Sequence, residues 1–336
     1  MKVGVFIPSQ TALSILNYTT SVLQHLPKEN FVAFSDLKKF DIVWFPHCAG
    51  AELPPLQLLD GLKKKCLAVV VTLHGAAPFS LKPEDCYSDL SFAVKGEIRK
   101  WENFFKWQLY KRFVFSFITV SEYAKEELSK KLKIPEEKIK VIYHGVDFKV
   151  FNSNGSKLGA GDYFLHVSQY QPKKNVNRVI EAYRRIPNPK PRLLLVVPGF
   201  KEKIEDKEIT VITEPLNSSR LAVLYKNAMA FVFPSLHETF GMPIVEAMAC
   251  GCPVITSNTT ACKEIADNAA FLVNPYSVEQ ISSAMKELME KINLRKRLAE
   301  LGLERAKNFS WERSAMKHLK VFKKVYKAVR EGKSHF

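Results

Sequence analysis

Residues 234–253 constrain the fold of this chain more than any other stretch. An apolar run at residues 229–233 comes directly before it and is typical of a buried strand. Residues 237–242 then form a short segment with one glycine. Pro243 suits the first turn of a helix because its φ angle is already helical, and Gly251 suits the end of that helix. The sequence therefore predicts a strand, a tight loop and a helix N-terminus in direct succession.

This arrangement favours the binding of an anion. The backbone N–H groups of a first helical turn have no partner inside the helix, and the helix dipole adds to their positive potential. Two carboxylates flank this point, with Glu238 in the loop and Glu246 about one turn into the helix. Carboxylates accept hydrogen bonds from hydroxyl groups. A ligand with both phosphate and hydroxyl groups, such as a nucleotide sugar, fits this combination.

Both halves of the chain alternate between apolar runs of strand length and amphipathic runs of helix length. This alternation indicates an α/β protein with parallel sheets covered by helices. Residues 152–162 are rich in turn residues and are interpreted as a linker. We expect an N-terminal domain at 1–155, a C-terminal domain at 162–312, and a final helix at 313–336. Strands are predicted at residues 3–7, 31–34, 42–45, 67–73, 115–120, 141–143, 163–167, 193–197, 210–212, 229–233, 254–256 and 271–273.

Length and composition restrict the class of protein. At 336 residues the chain exceeds what one hydrophobic core usually organises, so two domains are expected. No run of 18 apolar residues occurs, and the first residues do not resemble a signal peptide. The six cysteines lack metal-binding spacing, and no Asp-x-Asp occurs. These features favour a cytoplasmic protein with reduced thiols and no metal site.

The net charge of +16 raises the question of an anionic partner. Residues 99–112 and 317–327 each combine basic residues with aromatic or aliphatic residues at helical spacing. Each is either a core-facing stripe with a solvated lysine face or a helix that contacts anionic membrane lipid. No nucleic-acid-binding motif is present, so no nucleic acid partner is expected.

The motif at residues 238–246 resembles the Glu, seven residues, Glu motif of retaining glycosyltransferase family 4, also called glycosyl transferases group 1. Residues 247–254 resemble its usual continuation, and residues 118–125 and 141–147 resemble segments at the end of the family's first domain. The resemblance covers most of the chain. It implies the GT-B fold, in which two Rossmann-like, doubly wound domains face each other across a cleft. In this fold the final helix, here 313–336, usually crosses back to the first domain.

The resemblance also implies an activity. A family member transfers a hexose, commonly mannose or glucose, with retention of anomeric configuration. The donor is a nucleotide-diphosphate sugar of GDP or UDP type, and the acceptor is a glycan, lipid-linked or other hydroxyl group. The implied enzyme is a metal-independent hexosyltransferase without a further cofactor. Many relatives act at the cytosolic membrane face, so a peripheral membrane location is a further expectation.

Residues 166–175 resemble the family segment in which an Arg and a Lys contact the donor diphosphate. Lys174 matches the Lys, whereas Gln169 stands at the Arg position. Lys173 is the candidate for the second cation. A lysine offers a point charge rather than the two-pronged hydrogen bonding of a guanidinium, so the phosphate would be held less rigidly.

Further site residues follow from the same resemblance. Glu246 would accept hydrogen bonds from the ribose hydroxyls. Glu238 would bind the donor sugar, with the N–H groups of Phe240 and Gly241 beside it. His74 ends a strongly apolar strand, and in the family this His faces the donor sugar. Glu238 and His74 are the predicted catalytic residues, and a buried structural role is the alternative for His74.

Three alternatives to this function stay open. Gln169 and the absence of glycine from residues 8–18, where relatives often have a glycine-rich loop, favour a catalytically degenerate glycosyltransferase-like partner subunit. A sugar-nucleotide epimerase has the same architecture. A basic lipid- or nucleic-acid-binding protein is the third alternative, and it accounts for the charge but not for the motifs.

Overall fold

The computed structural model describes residues 1–7, 13–33, 40–47, 56–65, 67–81, 85 and 90–332. The chain forms two compact units. Unit 1 comprises Met1–Ser80, Val94–Gly145 and Trp311–Phe336, and unit 2 comprises Leu81–Ala93 and Val146–Ser310. Each unit contains one parallel sheet with helices connecting its strands, which is the α/β organisation that the alternating pattern predicts.

Unit 1 has a six-stranded sheet in the order β2-β1-β3-β4-β5-β6, and every strand pair is parallel. Its strands are β1 Val3–Val5, β2 Phe31–Ala33, β3 Ile42–Phe45, β4 Ala68–Thr72, β5 Ser116–Thr119 and β6 Ile139–Val141. Its helices are α1 Leu13–Gln24, α2 Leu56–Lys64, α3 Ala77–Ser80, most of α4 Leu90–Tyr110, α5 Glu122–Leu132 and, at the end of the chain, α12 Trp311–Arg330.

Unit 2 also has six parallel strands, in the order β12-β11-β10-β7-β8-β9. Its strands are β7 Tyr163–Val167, β8 Arg192–Val196, β9 Ile209–Ile212, β10 Ala230–Phe233, β11 Val254–Ser257 and β12 Phe271–Val273. Its helices are α6 Val176–Arg184, α7 Ser218–Asn227, α8 Met242–Ala249, α9 Thr260–Ala266, α10 Val278–Glu290 and α11 Ile292–Ala306. The strand order is that of a Rossmann fold.

All twelve predicted strands occur, each with bounds within two residues of the prediction. Apolar runs locate parallel strands well because such strands are buried on both faces. Residue 34 of the second predicted strand and residues 8–12 of the glycine-free segment lie outside the described residues.

The C-terminal helix α12 forms part of the hydrophobic core on one face of the unit 1 sheet. Leu319, Phe322 and Val325 of α12 are buried, and they pack with Trp44 of β3 and Ile118 of β5. The apolar stripe predicted at residues 317–327 is therefore core-facing, and the core interpretation is confirmed for this helix.

Helix α4 divides its apolar residues between two faces. Trp107 and Tyr110 are buried in the core on the other face of the sheet, together with Phe117 of β5. Trp101 and Phe105, in contrast, are 59% and 63% exposed. The core interpretation therefore explains only one face of this helix.

Candidate functional site

The predicted site of unit 2 lies where the strand order changes direction. β7 lies between β8 and β10, so the chain leaves β7 towards one edge of the sheet and leaves β10 towards the other. Loops that follow two such strands diverge, and ligands of open α/β sheets bind in the crevice between them. Lys174 follows β7 and Glu238 follows β10. The topology thus brings together two residues that are 64 positions apart in the sequence.

Lys174 and Glu238 form an ion pair. The Lys174 Nζ lies 2.5 Å from Glu238 Oε1, and the two side chains are only 17% and 12% exposed. The ammonium group also lies 5.4 Å from the ring centroid of Phe233, the last residue of β10. Ser235 Oγ is 2.9 Å from the same carboxylate oxygen. Two residues that the sequence assigns to different parts of a donor therefore contact each other directly.

The surroundings of Glu238 keep its carboxyl group ionised. Burial alone raises the pKa of a carboxyl, because it penalises the charged form. The Lys174 ammonium and its hydrogen bond, together with the charge of Lys173 and the Ser235 hydroxyl, outweigh burial and hold the pKa of Glu238 below its usual value. Glu238 is thus a carboxylate, able to accept hydrogen bonds from hydroxyl groups.

Lys173 and Gln169, the other two residues that the sequence predicts to bind the donor after β7, differ from each other in their placement. Lys173 is partly buried, and its carbonyl oxygen accepts a hydrogen bond from the Leu236 N–H at 2.8 Å, which joins the loops after β7 and β10. Gln169 lies two residues beyond β7 with an exposed side chain. Within the described part of the chain, Gln169 makes no hydrogen bond to Lys174 or Glu238. The structure therefore brings Lys173 into the site and leaves Gln169 at its edge.

Asn175 is a positioning residue that the sequence did not identify as such. It is buried in a left-handed conformation with φ of 64°. Its side-chain amide donates hydrogen bonds to the carbonyl oxygens of Pro234 and Pro275, at 2.8 and 2.7 Å. Its amide oxygen accepts a hydrogen bond from Arg178. One side chain thus fixes the segments after β7, β10 and β12, and only the fold reveals these partners.

The loop that carries Glu238 leads into α8 as predicted. Gly241 caps the helix with φ of +92°, and a Cβ on this residue would lie 3.0 Å from Ile244 Cδ1. Phe240 is buried against the Phe309 ring, with 5.7 Å between centroids. Pro243 occupies the first turn. These contacts hold the start of α8 in place, and this helix end is the one that the sequence predicts to bind an anion.

Glu246 lies in α8 beside a tyrosine that was not predicted. The Tyr225 hydroxyl, from α7, donates a hydrogen bond to Glu246 Oε2 at 3.4 Å. Burial raises the pKa of Glu246 to about 7, although the Tyr225 hydrogen bond works in the opposite direction. Tyr225 is one of 11 tyrosines in the chain, and nothing in its local sequence distinguishes it. The structure identifies it as the residue that orients the Glu246 carboxyl.

His74 belongs to unit 1, where it follows β4. Its Nε2 lies 3.1 Å from the carbonyl oxygen of Pro46. A carbonyl can only accept, so Nε2 carries the proton and Nδ1 is left as a hydrogen-bond acceptor. Burial, with smaller contributions from the nearby His47 and His318, lowers the pKa of His74 to about 4, although the hydrogen bond with Pro46 acts in the opposite direction. His74 is therefore a neutral imidazole at physiological pH.

Aromatic rings enclose His74 on two sides. The His144 ring stacks on it with 5.4 Å between centroids, and the Tyr18 ring meets it edge-on at 4.8 Å. The Tyr18 hydroxyl lies 2.7 Å from His318 Nε2. Because His318 Nδ1 donates to the Ser314 carbonyl, its Nε2 accepts the proton of Tyr18. The sequence did not predict the part played by Tyr18 and His318, since they lie 300 residues apart.

A membrane span and a metal cluster are both absent from the described residues. Among them, no helix is long and apolar enough to cross a membrane. Also within that part of the chain, no three His, Cys, Asp or Glu side chains are grouped so as to hold a metal ion.

Two family profiles match consecutive parts of the sequence. The profile described as "Glycosyl transferases group 1" matches residues 151–305, and the one described as "Glycosyltransferase Family 4" matches residues 9–150. Their common boundary lies five residues after Gly145, where the main segment of unit 1 ends and that of unit 2 begins.

Several relatives carry mannosyltransferase names. The O-antigen chain mannosyltransferase B of Escherichia coli is 30% identical over 174 residues, which is 48% of this chain and 45% of that relative. The MMP alpha-(1->4)-mannosyltransferase of Mycolicibacterium hassiacum is 27% identical over 300 residues, which is 85% of this chain and 71% of that relative. The first of these matches spans less than half the length of the relative.

Solved structures agree with the fold. HepE of Anabaena, in complex with UDP and glucose, superposes with a TM-score of 0.72 at 15% identity, covering 96% of this chain and 100% of that one. Sucrose-phosphate synthase of Thermosynechococcus elongatus gives 0.69 at 16% identity, with 97% and 99% covered. The fold is therefore GT-B, the class defined by two Rossmann-like units. The two consecutive profiles complete the assignment, and the chain belongs to glycosyltransferase family 4, the group 1 glycosyltransferases.

Proposed function

We propose that this chain is a retaining hexosyltransferase that uses a nucleotide-diphosphate sugar of GDP or UDP type. The observation that carries the proposal is the Lys174–Glu238 ion pair, with side chains 17% and 12% exposed, at the strand-order reversal of unit 2. It combines a cation for phosphate with a carboxylate for sugar hydroxyls beside the N-terminus of α8. The mannosyltransferase names of the relatives favour mannose as the sugar, with glucose as the other candidate.

Donor binding would rearrange this ion pair. The diphosphate carries more negative charge than one carboxylate, so it would attract the Lys174 ammonium, with Lys173 as the second cation. The ion pair between Glu238 and Lys174 would then break, and the Glu238 carboxylate would accept hydrogen bonds from sugar hydroxyls instead. Glu246 would accept from the ribose hydroxyls, and His74 Nδ1 would accept from a hydroxyl of the donor sugar. The lysines and the start of α8 would supply the positive charge without a metal ion.

The reaction would be a front-side substitution at the anomeric carbon. The bond between this carbon and the diphosphate oxygen breaks, and the acceptor oxygen bonds to the same face. The proton of the acceptor hydroxyl passes to the departing phosphate. The Lys174 ammonium group and the positive N-terminal end of α8 would stabilise the negative charge that builds on the leaving diphosphate. The ionised Glu238 would stabilise the positive charge that develops on the sugar ring.

The test is slow donor hydrolysis in a panel of nucleotide sugars, combined with thermal shift. We expect one donor to raise the melting temperature and to be hydrolysed, and Glu238→Gln to lose at least about 100-fold in rate, comparable to removing one charge-stabilising group. Glu287→Gln is the matched control, because it removes a carboxylate of an exposed ion pair on α10. Failure of every donor to bind would overturn the proposal and favour the degenerate partner subunit.

We further propose a peripheral contact with anionic membrane lipid at the cytoplasmic face, through α4. Five apolar side chains of this helix are about half or more exposed, and their spacing of three or four residues puts them on one face. They are Val94, Ile98, Trp101, Phe105 and Leu109. Such a face, with basic residues beside it, is typical of helices that lie in a membrane interface. The acceptor would then be lipid-linked.

Sedimentation with vesicles tests this contact. We expect binding to phosphatidylglycerol vesicles and weaker binding to phosphatidylcholine vesicles. The double variant Trp101→Ser, Phe105→Ser should bind at least about ten-fold more weakly, because two large apolar side chains no longer leave water. The control variant Val223→Ser, Met316→Ser removes apolar residues that are 57% and 52% exposed on other helices. Equal losses in both variants would refute α4 as the contact.

A further inference from the structure

A cavity of about 850 Å³ lies in unit 1 between α12 and the edge of the sheet formed by β5 and β6. Helix α12 packs on β3 and β4, whereas β6 is the outermost strand. The cavity occupies the space beside this outer part of the sheet, on the α12 face. Its lining consists of Phe115, Ser116, Glu137, Lys138, Lys140, Lys320, Val321, Lys324, Val325 and Ala328.

The residues that face this cavity depart from the usual pattern of a parallel strand. Side chains alternate along a strand, and Phe117 of β5 and Ile139 of β6 belong to the hydrophobic core on the opposite face. The adjacent residues Ser116 and Lys140 therefore point to the α12 side. Both faces of a strand in such a sheet are normally apolar. Here the α12 side presents a hydroxyl and an ammonium group instead.

The cavity is strongly basic. Four lysines and one glutamate line it. Burial lowers the pKa of Lys140, and the charges of Lys324 and Lys125 lower it further, so these cations lie close enough to repel each other. Lys140 Nζ donates to the Glu137 carbonyl oxygen at 2.6 Å, a neutral acceptor. Across the described ranges, none of the four lining lysines lies within 4.0 Å of a carboxylate oxygen.

This contrasts with the lysine of the candidate site. Lys174 forms an ion pair with Glu238, whereas the one carboxylate of the cavity lining, Glu137, acts on Lys140 from beyond ion-pair distance and offsets only part of the repulsion from Lys324 and Lys125. A bound anion would remove their mutual repulsion. Phe115, Val321 and Val325 add an apolar wall, and the volume lies in the range of small-molecule pockets.

The cavity is separate from the part of unit 1 that holds His74. Phe115 and Ser116 lie at the start of β5, and Lys138 comes just before β6. His74 follows the carboxyl end of β4. In a parallel sheet all strands run in the same direction, so the cavity lies near the amino ends of the strands and His74 lies at their carboxyl ends.

We propose that this cavity is a second anion site, which binds the phosphate or diphosphate group of a phosphorylated ligand through Lys140, Lys320 and Lys324. The apolar wall would contact the organic part of that ligand. A soluble phosphorylated compound and the phosphate headgroup of a lipid share this chemistry. The inference is independent of the proposed transferase activity, since it rests on unit 1 alone.

Lysine acetylation followed by mass spectrometry tests the site at residue level, with inorganic pyrophosphate as the probe. We expect pyrophosphate to slow the labelling of Lys140, Lys320 and Lys324 several-fold. Lys323 and Lys327 lie on the same helix but do not line the cavity, so their labelling should not change. Protection at Lys174 reports the candidate donor site separately, so the two proposals can fail independently.

A second arm uses matched charge variants and vesicles. The variant Lys320→Met, Lys324→Met should abolish the protection of Lys140, whereas Lys323→Met, Lys327→Met, with the same net charge, should preserve it. Protection by pyrophosphate supports a soluble ligand, and protection by phosphatidylglycerol vesicles alone supports a lipid headgroup. No protection by either, or equal protection of Lys323, would overturn the proposal.

Discussion

Replacing Lys174 by Met tests the electrostatic design of the candidate site. Met keeps most of the apolar stem that lies near the Phe233 ring and removes only the ammonium group. Glu238 then keeps its Ser235 contact but loses its counter-ion in a position where only 12% of its side chain is exposed. Breaking a buried ion pair by removing one partner typically costs about 3–5 kcal/mol. For a unit of this size, we expect a fall in melting temperature of about 6–20 °C.

The pH dependence identifies the cause of this loss. In the wild type the pKa of Glu238 is lowered, so the carboxylate stabilises the folded state above about pH 4.5 and this contribution is lost as the pH falls. In Lys174→Met, burial raises the pKa of Glu238 instead. The destabilisation should therefore be largest at neutral and alkaline pH, and it should diminish as acid protonates Glu238.

Urea unfolding of the variants between pH 5 and pH 8 measures these effects, with the transition of unit 2 followed separately. The double variant Lys174→Met, Glu238→Gln should recover most of the loss, because it leaves no buried charge. Lys291→Met is the matched control, since it breaks an exposed pair with Glu287 that is worth at most about 1 kcal/mol. A loss in Lys174→Met that equals this control, or that does not change with pH, would refute the reasoning.

Three further predictions concern other parts of the structure. The raised pKa of Glu246 should make the wild type lose about 3 kcal/mol of stability as the pH rises from about 4.5 to 7, and Glu246→Gln should lack this slope in urea unfolding. Gly241→Ala should lower the free energy of unfolding by about 1–2 kcal/mol through backbone strain, and the close contact of its Cβ with Ile244 should add to this loss. Gly155 also has a positive φ but open space around it, so Gly155→Ala should lower the stability less, as measured by thermal unfolding. The lowered pKa of His74 means that its contribution to the stability of the folded state is complete above about pH 6.5 and is lost as the pH falls towards 4. NMR measures the titration of this ring, and a midpoint near pH 6.5 would contradict the prediction.

Much of the fold could be predicted from the sequence because its signals are local. Buried parallel strands are continuous apolar runs, so all twelve were located to within two residues. The loop with Gly241 and the turn of α8 with Pro243 require particular backbone angles, which few residue types adopt. The same segment carries Glu238 and Glu246, so the family could be identified before any distance was known.

The partners of these residues depend on contacts between distant parts of the chain. The pairing of Lys174 with Glu238 follows from the strand order, which no local pattern specifies. Tyr225 reaches Glu246 only because α7 packs against α8. A local pattern also cannot tell which face of an amphipathic helix finds a partner, which is why the stripes of α4 and α12 had the same two interpretations.

The sequence by itself determined the class of fold, the family and the residue types of the site, because these depend on periodicity, backbone angles and short motifs. Only the tertiary structure decided which charges are paired. Lys174 is paired with Glu238, whereas no described carboxylate pairs with Lys140. The physical reason is that the energy of a charge depends on its distance from other charges and from water, and packing sets both distances.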